Sequence, residues 1–387
     1  QSEVTTAVTA AALAHLQGVP VTWPALLGET AARTAELPTY PFQRQRYWLD
    51  PVSGAANADE LGLNATDHPL LGAALQLAHD ERQVFTSSLS LRSHPWLADH
   101  ALHGTVILPG TAQVELAVRA GEQAGYPDLA ELTMTAPLVL PERGSAQVQV
   151  VVAADTGDGD RRTVQVYSRA DEAQPWTLHA EGLLMPEGGD APPQAPAAWP
   201  PSGFEEVALD GTYERLAGLG YAYGPAFQGL RRVWRDPASG DVCAEVALPE
   251  ELRAEAGRFV LHPALLDAAL HPLLPGVTDE ERPALVPFSW SGVSVRAAGA
   301  TSLRVRITAA GPETVSLTVA DGTGAPVAEV ESLLLRPLSA DAVRQAGREG
   351  LLRVEWSPLA DAAVGDTAWG VLDEGGLDAL AAGGTVP

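Results

Sequence analysis

The 387-residue chain contains no lysine, so all 24 of its basic residues are arginine, and its 49 acidic residues give a formal charge of −25. Without lysine it can neither form a Schiff base with a substrate or pyridoxal phosphate nor carry a phosphate-loop lysine. A chain this acidic also has little with which to neutralise a phosphate backbone. We therefore predict no nucleic-acid partner and exclude these lysine-dependent activities.

Cysteine and long apolar runs are also scarce. The single Cys243 can form neither an internal disulfide nor a multi-thiolate zinc site, which indicates a reducing compartment. No run of 18 or more apolar residues occurs, and the first residues lack the pattern of a signal peptide. We predict a cytoplasmic protein with no membrane span, whose core is built from the 46% of residues that are hydrophobic.

Changes in composition predict how the chain is organised. A helical pattern near residues 4–17 is followed by a segment interrupted by several prolines. A second stretch, rich in proline and glycine, covers residues 186–203. The predicted segments are a linker at 1–66, a first unit at 67–187, an inter-unit linker at 188–203, a second unit at 204–338 and a C-terminal linker at 339–387.

The two predicted units repeat one order of elements. A helical pattern at 109–125 precedes four strand-like stretches, and an apolar helical pattern at 262–274 precedes four more. A helix that is apolar on nearly all sides belongs inside a fold. We predict an α+β fold in which each unit wraps an antiparallel sheet around a buried helix, the sheets join edge to edge, and a site lies between the helices.

Asp267 is the most informative polar residue because it lies in the apolar stretch ALLDAAL. Burial there favours the protonated form of a carboxyl, which can donate a proton. His271 is four residues further on and therefore lies on the same helical face. Alternatively, Asp267 caps a backbone group or pairs with a buried arginine.

Three of the nine histidines, His94, His100 and His103, fall within ten residues. A zinc site would need three converging ligands, but no HExxH pattern or cysteine partner accompanies them, so we predict no metal. We expect His94 and His103 to face solvent from loops. His100 is the stronger candidate because of the residues that follow it.

The segment GTVILPG at 104–110 follows this cluster. Gly104 permits close backbone approach, while Pro109 and Gly110 start the first predicted helix. The first amides of that helix could hold a developing oxyanion.

A third cluster, GLGYAYGPAFQGL at 218–230, places Tyr221 and Tyr223 on one face if it is extended. Such aromatic turns also commonly pack a core. A histidine base, a protonated carboxyl, a tyrosine hydroxyl and helix amides together suit removal of a proton next to a carbonyl and loss of a β-hydroxyl as water. This reaction requires no redox cofactor or metal.

Three motifs carry a family resemblance: HALHGTVILP at 100–109, GYAYGPAF at 220–227 and DAALH at 267–271, with VPFSW at 286–290 as a fourth signature. Over about residues 67–338 the sequence resembles the dehydratase domain of modular type I polyketide synthases, which is related to the dehydratase of animal fatty acid synthase. The resemblance implies a double hot-dog fold. It also implies a β-hydroxyacyl substrate on the phosphopantetheine arm of an acyl carrier protein, with no cofactor bound by this chain.

The resemblance also implies residue roles. His100 removes the α-proton, and Asp267 protonates the departing β-hydroxyl. Tyr223 and His271 position the hydroxyl and the acid, with help from Gly104 and Pro109. The amide of Gly110 polarises the thioester carbonyl, and the product is an α,β-unsaturated thioester.

The flanks add expectations about partners. LPTYPFQRQRYWL at 37–49 resembles the linker after an acyltransferase domain, and LLRVEWSPL at 351–359 resembles the start of a ketoreductase structural region. The chain thus looks like part of a longer synthase, and the family implies a homodimer. Arginines 231, 232 and 235 are candidates for carrier docking, or simply a solvated face.

Two rival functions remain open at this point. One is a non-catalytic module that binds acyl chains or acts as a spacer. The other is a thioesterase or pyran-forming cyclase with the same fold.

Overall fold

The computed structural model describes residues 2–27, 62–78, 81–154, 160–188, 198–278, 285–311 and 313–337. The chain divides into two units, residues 1–52 and 53–387. In the first unit, helix α1 spans Glu3–Leu16 and helix α2 spans Trp23–Leu27. The hydroxyl of Ser2 accepts a hydrogen bond from the Thr5 amide at 3.3 Å and caps α1. The helix predicted near residues 4–17 is therefore confirmed.

The second unit contains the remaining elements in the described ranges. Its helices are α3 Gly110–Ala124, α4 Thr212–Gly218, α5 Glu250–Arg253 and α6 Pro263–Leu270. Its strands up to residue 188 are β1 Asn64–His68, β2 Leu71–Gln76, β3 Gln83–Leu89, β4 His100–Leu102, β5 Thr105–Val106, β6 Asp128–Met134, β7 Ala146–Ala154, β8 Arg162–Arg169 and β9 Thr177–Met185. Its later strands are β10 Glu205–Val207, β11 Tyr221–Tyr223, β12 Leu230–Arg235, β13 Val242–Ala247, β14 Leu285–Val295, β15 Ser302–Ala309, β16 Thr314–Ala320 and β17 Pro326–Pro337.

The domain boundaries given above remain predictions. Strand β1 begins at Asn64, slightly before residue 67, where the sequence predicts that the first helix-and-sheet repeat starts. The motifs at 37–49 and 351–359 and the C-terminal linker at 339–387 lie outside the described residues.

Fourteen of the described strands form one antiparallel sheet in the order β1-β2-β3-β7-β8-β9-β6-β14-β17-β16-β15-β13-β12-β10. The strands of the first half end at β6, and β14 of the second half pairs with it in antiparallel register. Each half thereby covers an edge that would otherwise expose unpaired backbone groups. The predicted edge-to-edge junction is confirmed.

Helix α3 packs on the sheet of the first half. It begins after Pro109 and ends at Gly125, whose φ of 84° provides a left-handed C-cap. Gly121 allows its close approach to neighbouring backbone, since a Cβ there would stand 2.4 Å from the carbonyl oxygen of Tyr126. The predicted burial of this helix is confirmed for most of its length.

Helix α6 is buried at every residue, as its apolar sequence predicts. The ring of His262 caps it by accepting from the Ala264 amide at 3.2 Å. The sequence prediction of one helix through residue 274 is wrong at its end, because the α-helix stops at Leu270 and a 3₁₀ turn follows over His271–Leu273. Pro272 explains the change, since it has no N–H with which to continue the helical hydrogen bonding.

The two halves also meet at the start of their central helices. The hydroxyl of Thr111 in α3 donates to the carbonyl oxygen of Pro263 in α6 at 3.1 Å. A second, three-stranded sheet, in the order β11-β4-β5, joins strands of both halves. The described helices include none with the length and apolar character needed to cross a bilayer.

Candidate active site

The three-stranded sheet determines where the predicted base lies. His100 is the first residue of β4, and Tyr223 is the last residue of β11. The antiparallel register places these two residues directly opposite each other, with their ring centroids 5.6 Å apart. Backbone pairing thus brings a histidine from the first half beside a tyrosine from the second.

A backbone hydrogen bond orients the buried His100 ring. Its Nδ1 lies 3.0 Å from the carbonyl oxygen of Ile107. A carbonyl only accepts, so Nδ1 carries the proton and Nε2 has the free lone pair in the neutral ring. Burial lowers the pKa of His100 below its ordinary value of 6.5, and the attraction of Asp267 opposes this only in part. The ring is therefore a neutral base at pH 7.

Asp267 lies beside this base. Its Oδ1 is 3.9 Å from Nε2 of His100, and its Oδ2 is 3.0 Å from Nε2 of His271. The i,i+4 relation predicted between Asp267 and His271 is confirmed, although His271 lies in the 3₁₀ turn after α6. Within the described residues the partners of the Asp267 carboxyl are these two rings, rather than the backbone group or arginine considered from the sequence.

Tyr223 borders the same space. Its ring centroid lies 4.3 Å from that of His271. Burial, reinforced by the nearby Asp267 carboxyl, raises the pKa of Tyr223 well above 10. Its hydroxyl therefore keeps its proton at neutral pH and can donate a hydrogen bond.

Tyr213, on helix α4, is a site residue that sequence reasoning missed. Its hydroxyl accepts from the Leu230 amide at 3.0 Å and lies 3.1 Å from Nδ1 of His271. Burial raises the pKa of Tyr213 to about 12. No motif identifies this residue. The only sequence signal is an aromatic hydroxyl in a short helical stretch just before the tyrosine motif.

One cavity of about 280 Å³ is lined by His100, Tyr223, Asp267 and His271, whereas Tyr213 lies behind His271 and is not part of its wall. Gly110, the first residue of α3, also lines it. The first amides of a helix have no partner within the helix and attract negative charge. Much of the remaining wall is apolar and includes Leu108, Met134, Leu270, Leu274 and Phe288. The cavity thus combines a base, a carboxyl and helix amides in largely apolar surroundings.

Gln113 is a further polar residue of this wall that the sequence did not single out. It lies one helical turn after Gly110 and is 3% exposed. Its side-chain oxygen is buried and has no hydrogen-bond partner in the part of the chain that the structure describes. Buried polar atoms in native proteins are rarely left in this condition.

Other predicted residues lie outside the cavity. Gly104 is in the exposed turn between β4 and β5 with a φ of 79°, where a turn requires glycine, and Pro109 is buried before α3 without lining the cavity. His103 is exposed, as expected. The expectation for His94 is wrong, because its half-buried ring donates from Nε2 to the carbonyl oxygen of Pro69 at 2.8 Å.

The described residues contain no group of three or more His, Cys, Asp or Glu side chains arranged to hold a metal ion. Two of the three candidate docking arginines have partners: Arg232 pairs with Glu206 at 3.0 Å, and Arg235 donates to the carbonyl oxygen of Thr278 at 3.2 Å, while Arg231 is exposed. Among the described residues, the candidate catalytic groups are therefore those that line the cavity.

Comparison with known proteins identifies the family. Residues 68–169 match the family described as the polyketide synthase dehydratase domain, and residues 191–345 match the one described as the polyketide synthase dehydratase N-terminal domain. The solved dehydratase domain from the terminal module of the rifamycin polyketide synthase is 48% identical, with a TM-score of 0.67 over 73% of this chain and 100% of that one. The chain belongs to the polyketide synthase dehydratase family.

Further relatives place the dehydratase in its wider context. Polyketide synthase GfsB of Streptomyces halstedii is 50% identical over 97% of this chain, which spans only 7% of that protein. A dehydratase-cyclase domain described as bifunctional, from ambruticin biosynthesis, is 42% identical, with a TM-score of 0.63 over 71% of this chain and 99% of that one. The predicted double hot-dog fold and the dehydratase assignment in polyketide chain elongation are confirmed.

Proposed function

We propose that this dehydratase removes water from a β-hydroxyacyl thioester carried on the phosphopantetheine arm of an acyl carrier protein. One observation carries the proposal: the free Nε2 of His100 and Oδ1 of Asp267 stand 3.9 Å apart in a single cavity. A base and an acid at this separation can act on neighbouring carbons of one substrate.

His100 starts the reaction by taking the α-proton on Nε2. The Ile107 carbonyl holds the ring in the tautomer that leaves this nitrogen free, and it stabilises the imidazolium that forms. As the C–H electron pair moves toward the carbonyl, negative charge develops on the thioester oxygen. We assign its stabilisation to the amide of Gly110 at the start of α3.

Asp267 completes the reaction by donating its proton from Oδ1 to the β-hydroxyl. The C–O bond then breaks, water leaves, and the former C–H electron pair becomes the double bond. His100 has gained one proton and Asp267 has lost one, so transfer between them restores both groups. In this scheme Tyr223 holds the hydroxyl, and His271 holds Oδ2 so that Oδ1 faces the substrate.

The substrate arm enters beside Arg336 in our proposal. Arg336 lines the cavity yet is exposed, so it lies where the cavity opens, and its guanidinium stacks 3.8 Å from the centroid of the Phe288 ring. An arginine suits the phosphate of the arm. The chain itself needs no cofactor for this chemistry, because the carrier brings the arm.

We place this dehydratase in a cytoplasmic synthase beside acyltransferase and ketoreductase domains, as part of a homodimer. The neighbouring domains are supported by relatives that are far longer than this chain, which spans 5–10% of the first three. They are also supported by the flanking motifs at 37–49 and 351–359.

A second candidate function is formation of a cyclic ether. The specific observation is the 42% identity to the domain described as a bifunctional dehydratase-cyclase. In that reaction a hydroxyl further along the chain adds to the new double bond, and the base and acid of the same cavity move the protons. It requires a substrate that carries such a hydroxyl.

The experiment loads an acyl carrier protein with a 3-hydroxyacyl chain, with and without a second hydroxyl, and follows the bound chain by mass spectrometry. Loss of one water with an alkene signal supports dehydration. Free acid would indicate a thioesterase, and loss of water without an alkene would indicate the cyclase. Saturable binding with no turnover would indicate the non-catalytic module and contradict the proposal.

A further inference from the structure

A chain of hydrogen bonds extends behind Asp267, on the side away from His100. The Leu230 amide donates to the hydroxyl of Tyr213 at 3.0 Å, and that hydroxyl lies 3.1 Å from Nδ1 of His271. Nε2 of His271 lies 3.0 Å from Oδ2 of Asp267. The His271 ring is 1% exposed, so both of its nitrogens depend on these partners.

Two proton arrangements fit these distances. In the first, Tyr213 donates to Nδ1 of His271, and the Nε2–H of His271 donates to Oδ2 of Asp267. In the second, Nδ1–H donates to Tyr213, so Nε2 must accept a proton from Asp267 itself. The second arrangement would put the acid proton on Oδ2, the oxygen turned away from His100.

The Tyr213 hydroxyl decides between the two arrangements. The Leu230 amide can only donate, so it already occupies one acceptor position of the hydroxyl. The hydroxyl retains its proton, since burial raises the pKa of Tyr213 to about 12. Within the described chain its other hydrogen-bond partner is Nδ1 of His271. In the second arrangement the hydroxyl proton would have no acceptor, whereas the first arrangement satisfies every donor.

We propose that Tyr213 is a positioning residue that fixes the tautomer of His271 and thereby directs the acid proton of Asp267 to Oδ1. The proposal deepens the dehydratase function proposed above and rests on it. Tyr213 reaches the reacting oxygen only through His271, so it is not itself a catalytic residue. Its hydroxyl proton ensures that His271 donates to Asp267 rather than taking a proton from it.

The first test is Tyr213→Phe. Phenylalanine keeps the ring that packs 5.7 Å from His271 and 6.3 Å from Tyr223, centroid to centroid, and removes only the hydroxyl. We expect kcat to fall by about 10- to 100-fold. This is the loss typical when a hydrogen-bond partner that orients a metal-binding side chain is removed, and Tyr213 orients His271 in the same way. KM should stay within about twofold, because the hydroxyl supports the acid and not the bound chain. An unchanged kcat would overturn the proposal.

The matched control is Tyr126→Phe. The Tyr126 hydroxyl also donates one hydrogen bond, to Asp160 at 2.6 Å, but it is exposed on the first half and away from the cavity. We expect its kcat to equal that of the wild type. A loss as large as that of Tyr213→Phe would show a general effect of removing a tyrosine hydroxyl and would count against the proposal.

Repeating Tyr213→Phe in a His271→Gln variant distinguishes the positioning of His271 by Tyr213 from simple support of the fold. A glutamine side chain has no tautomers and offers Asp267 an N–H₂ donor directly. In a His271→Gln background, we therefore expect Tyr213→Phe to cost less than about threefold in kcat, compared with the larger loss beside His271. A structural role of Tyr213 would give the same loss in both backgrounds and would overturn the proposal.

Nitrogen-15 NMR of the His271 ring in the intact wild-type chain gives a readout that needs no turnover. The proposal predicts an unprotonated Nδ1 and a protonated Nε2, and it would be overturned by the reverse. Tyr213→Phe removes the acceptor of the Leu230 amide and could therefore fail to fold. The NMR measurement on the wild-type chain does not depend on that variant. If the ring state is as predicted but no water is lost from any substrate, the dehydratase function fails while the hydrogen-bond assignment stands.

Discussion

Each half of the dehydratase buries one carboxyl on its central helix, and the two carboxyls have different surroundings. Glu115 on α3 is 3% exposed and accepts three hydrogen bonds. They come from Nε2 of His68 at 2.9 Å and from the amides of Val260 and Leu261 at 2.8 and 2.9 Å. Asp267 on α6 is 7% exposed, yet among the described residues only its Oδ2 has a close hydrogen-bond partner.

The difference shows how a duplicated architecture becomes asymmetric in function. Both oxygens of the Glu115 carboxylate accept hydrogen bonds, so three of its roughly four acceptor sites are occupied, and Glu115 does not line the active-site cavity. Its backbone donors belong to residues 260–261, just before α6, so the carboxyl of one half fixes the segment that leads to the carboxyl of the other. Asp267 keeps one oxygen available for proton transfer.

The largest effect predicted from this comparison is on turnover. We expect His100→Ala and Asp267→Asn each to lower the dehydration rate by about 10²- to 10⁴-fold, which is the contribution typical of a positioned acid or base. Single-turnover assays with a carrier-bound substrate measure this loss.

The same variants should keep their fold. Asp267→Asn replaces a buried carboxyl with an amide of similar shape, so its melting temperature should equal or exceed that of the wild type. Near-normal turnover in either variant would refute the assigned roles. A large fall in melting temperature for Asp267→Asn would show that this carboxyl is structural, like Glu115.

Glu115→Gln should have the opposite outcome. An amide has only one oxygen with which to serve three donors, and breaking a buried charged network typically costs about 3–5 kcal/mol. Denaturant titration should show this loss of stability, while the protein that remains folded should retain turnover.

The control on the same helix is Glu122→Gln. Glu122 forms a partly exposed ion pair with Arg119 at 2.9 Å, so its loss should cost less than about 1 kcal/mol. If Glu115→Gln were as mild as Glu122→Gln, the contrast between the two buried carboxyls would lose its basis.

A smaller effect concerns pH. Burial lowers the pKa of His100 below 6.5, so the base stays neutral and kcat/KM should hold as the pH falls to about 6.5 and drop only below the His100 pKa. The unfolded chain takes up this proton near pH 6.5, before the folded chain does. His100 therefore lowers stability as the pH falls from 6.5 to its folded pKa, and the loss is complete below that.

Denaturant titrations at several pH values check this sign against the His100→Ala variant, which should lose that part of the pH dependence. Buried His179 also has a lowered pKa because of burial and should contribute equally to both proteins. A wild-type stability that rises on acidification relative to His100→Ala would contradict the assignment of His100 as a buried neutral base.

The sequence predicted those features that depend on local periodicity. Two of the strand-like stretches predicted after the first helix correspond to β7 and β8, in which buried and half-buried residues alternate along most of each strand. The apolar residues on both sides of Asp267 likewise predicted that its carboxyl is buried, because a helix that is apolar on nearly all sides lies inside a fold. The wrong end of the second helix reflects a local signal that was underweighted, the proline at 272.

What the sequence did not reveal are partnerships between distant residues. His68 and Glu115 are 47 residues apart, Tyr213 and His271 are 58 apart, and Glu115 and Val260 are 145 apart. In the last of these one partner is a backbone amide, which every residue except proline has, so no residue type marks it. Such contacts arise only when the sheet order and the helix placement are known.

The smallest predicted effect sharpens the comparison within α3 itself, where Gln113 faces the cavity and Glu115 does not. Within the described residues the buried side-chain oxygen of Gln113 has no hydrogen-bond partner, and burying a polar atom without one costs free energy. Gln113→Met keeps a similar volume and removes that cost, so stability should rise by up to about 1 kcal/mol, in contrast to the loss for Glu115→Gln. Thermal melts of the two variants check the signs. A lower melting temperature for Gln113→Met would mean that the amide has a partner in the folded protein, and that α3 carries structural polar groups on both faces.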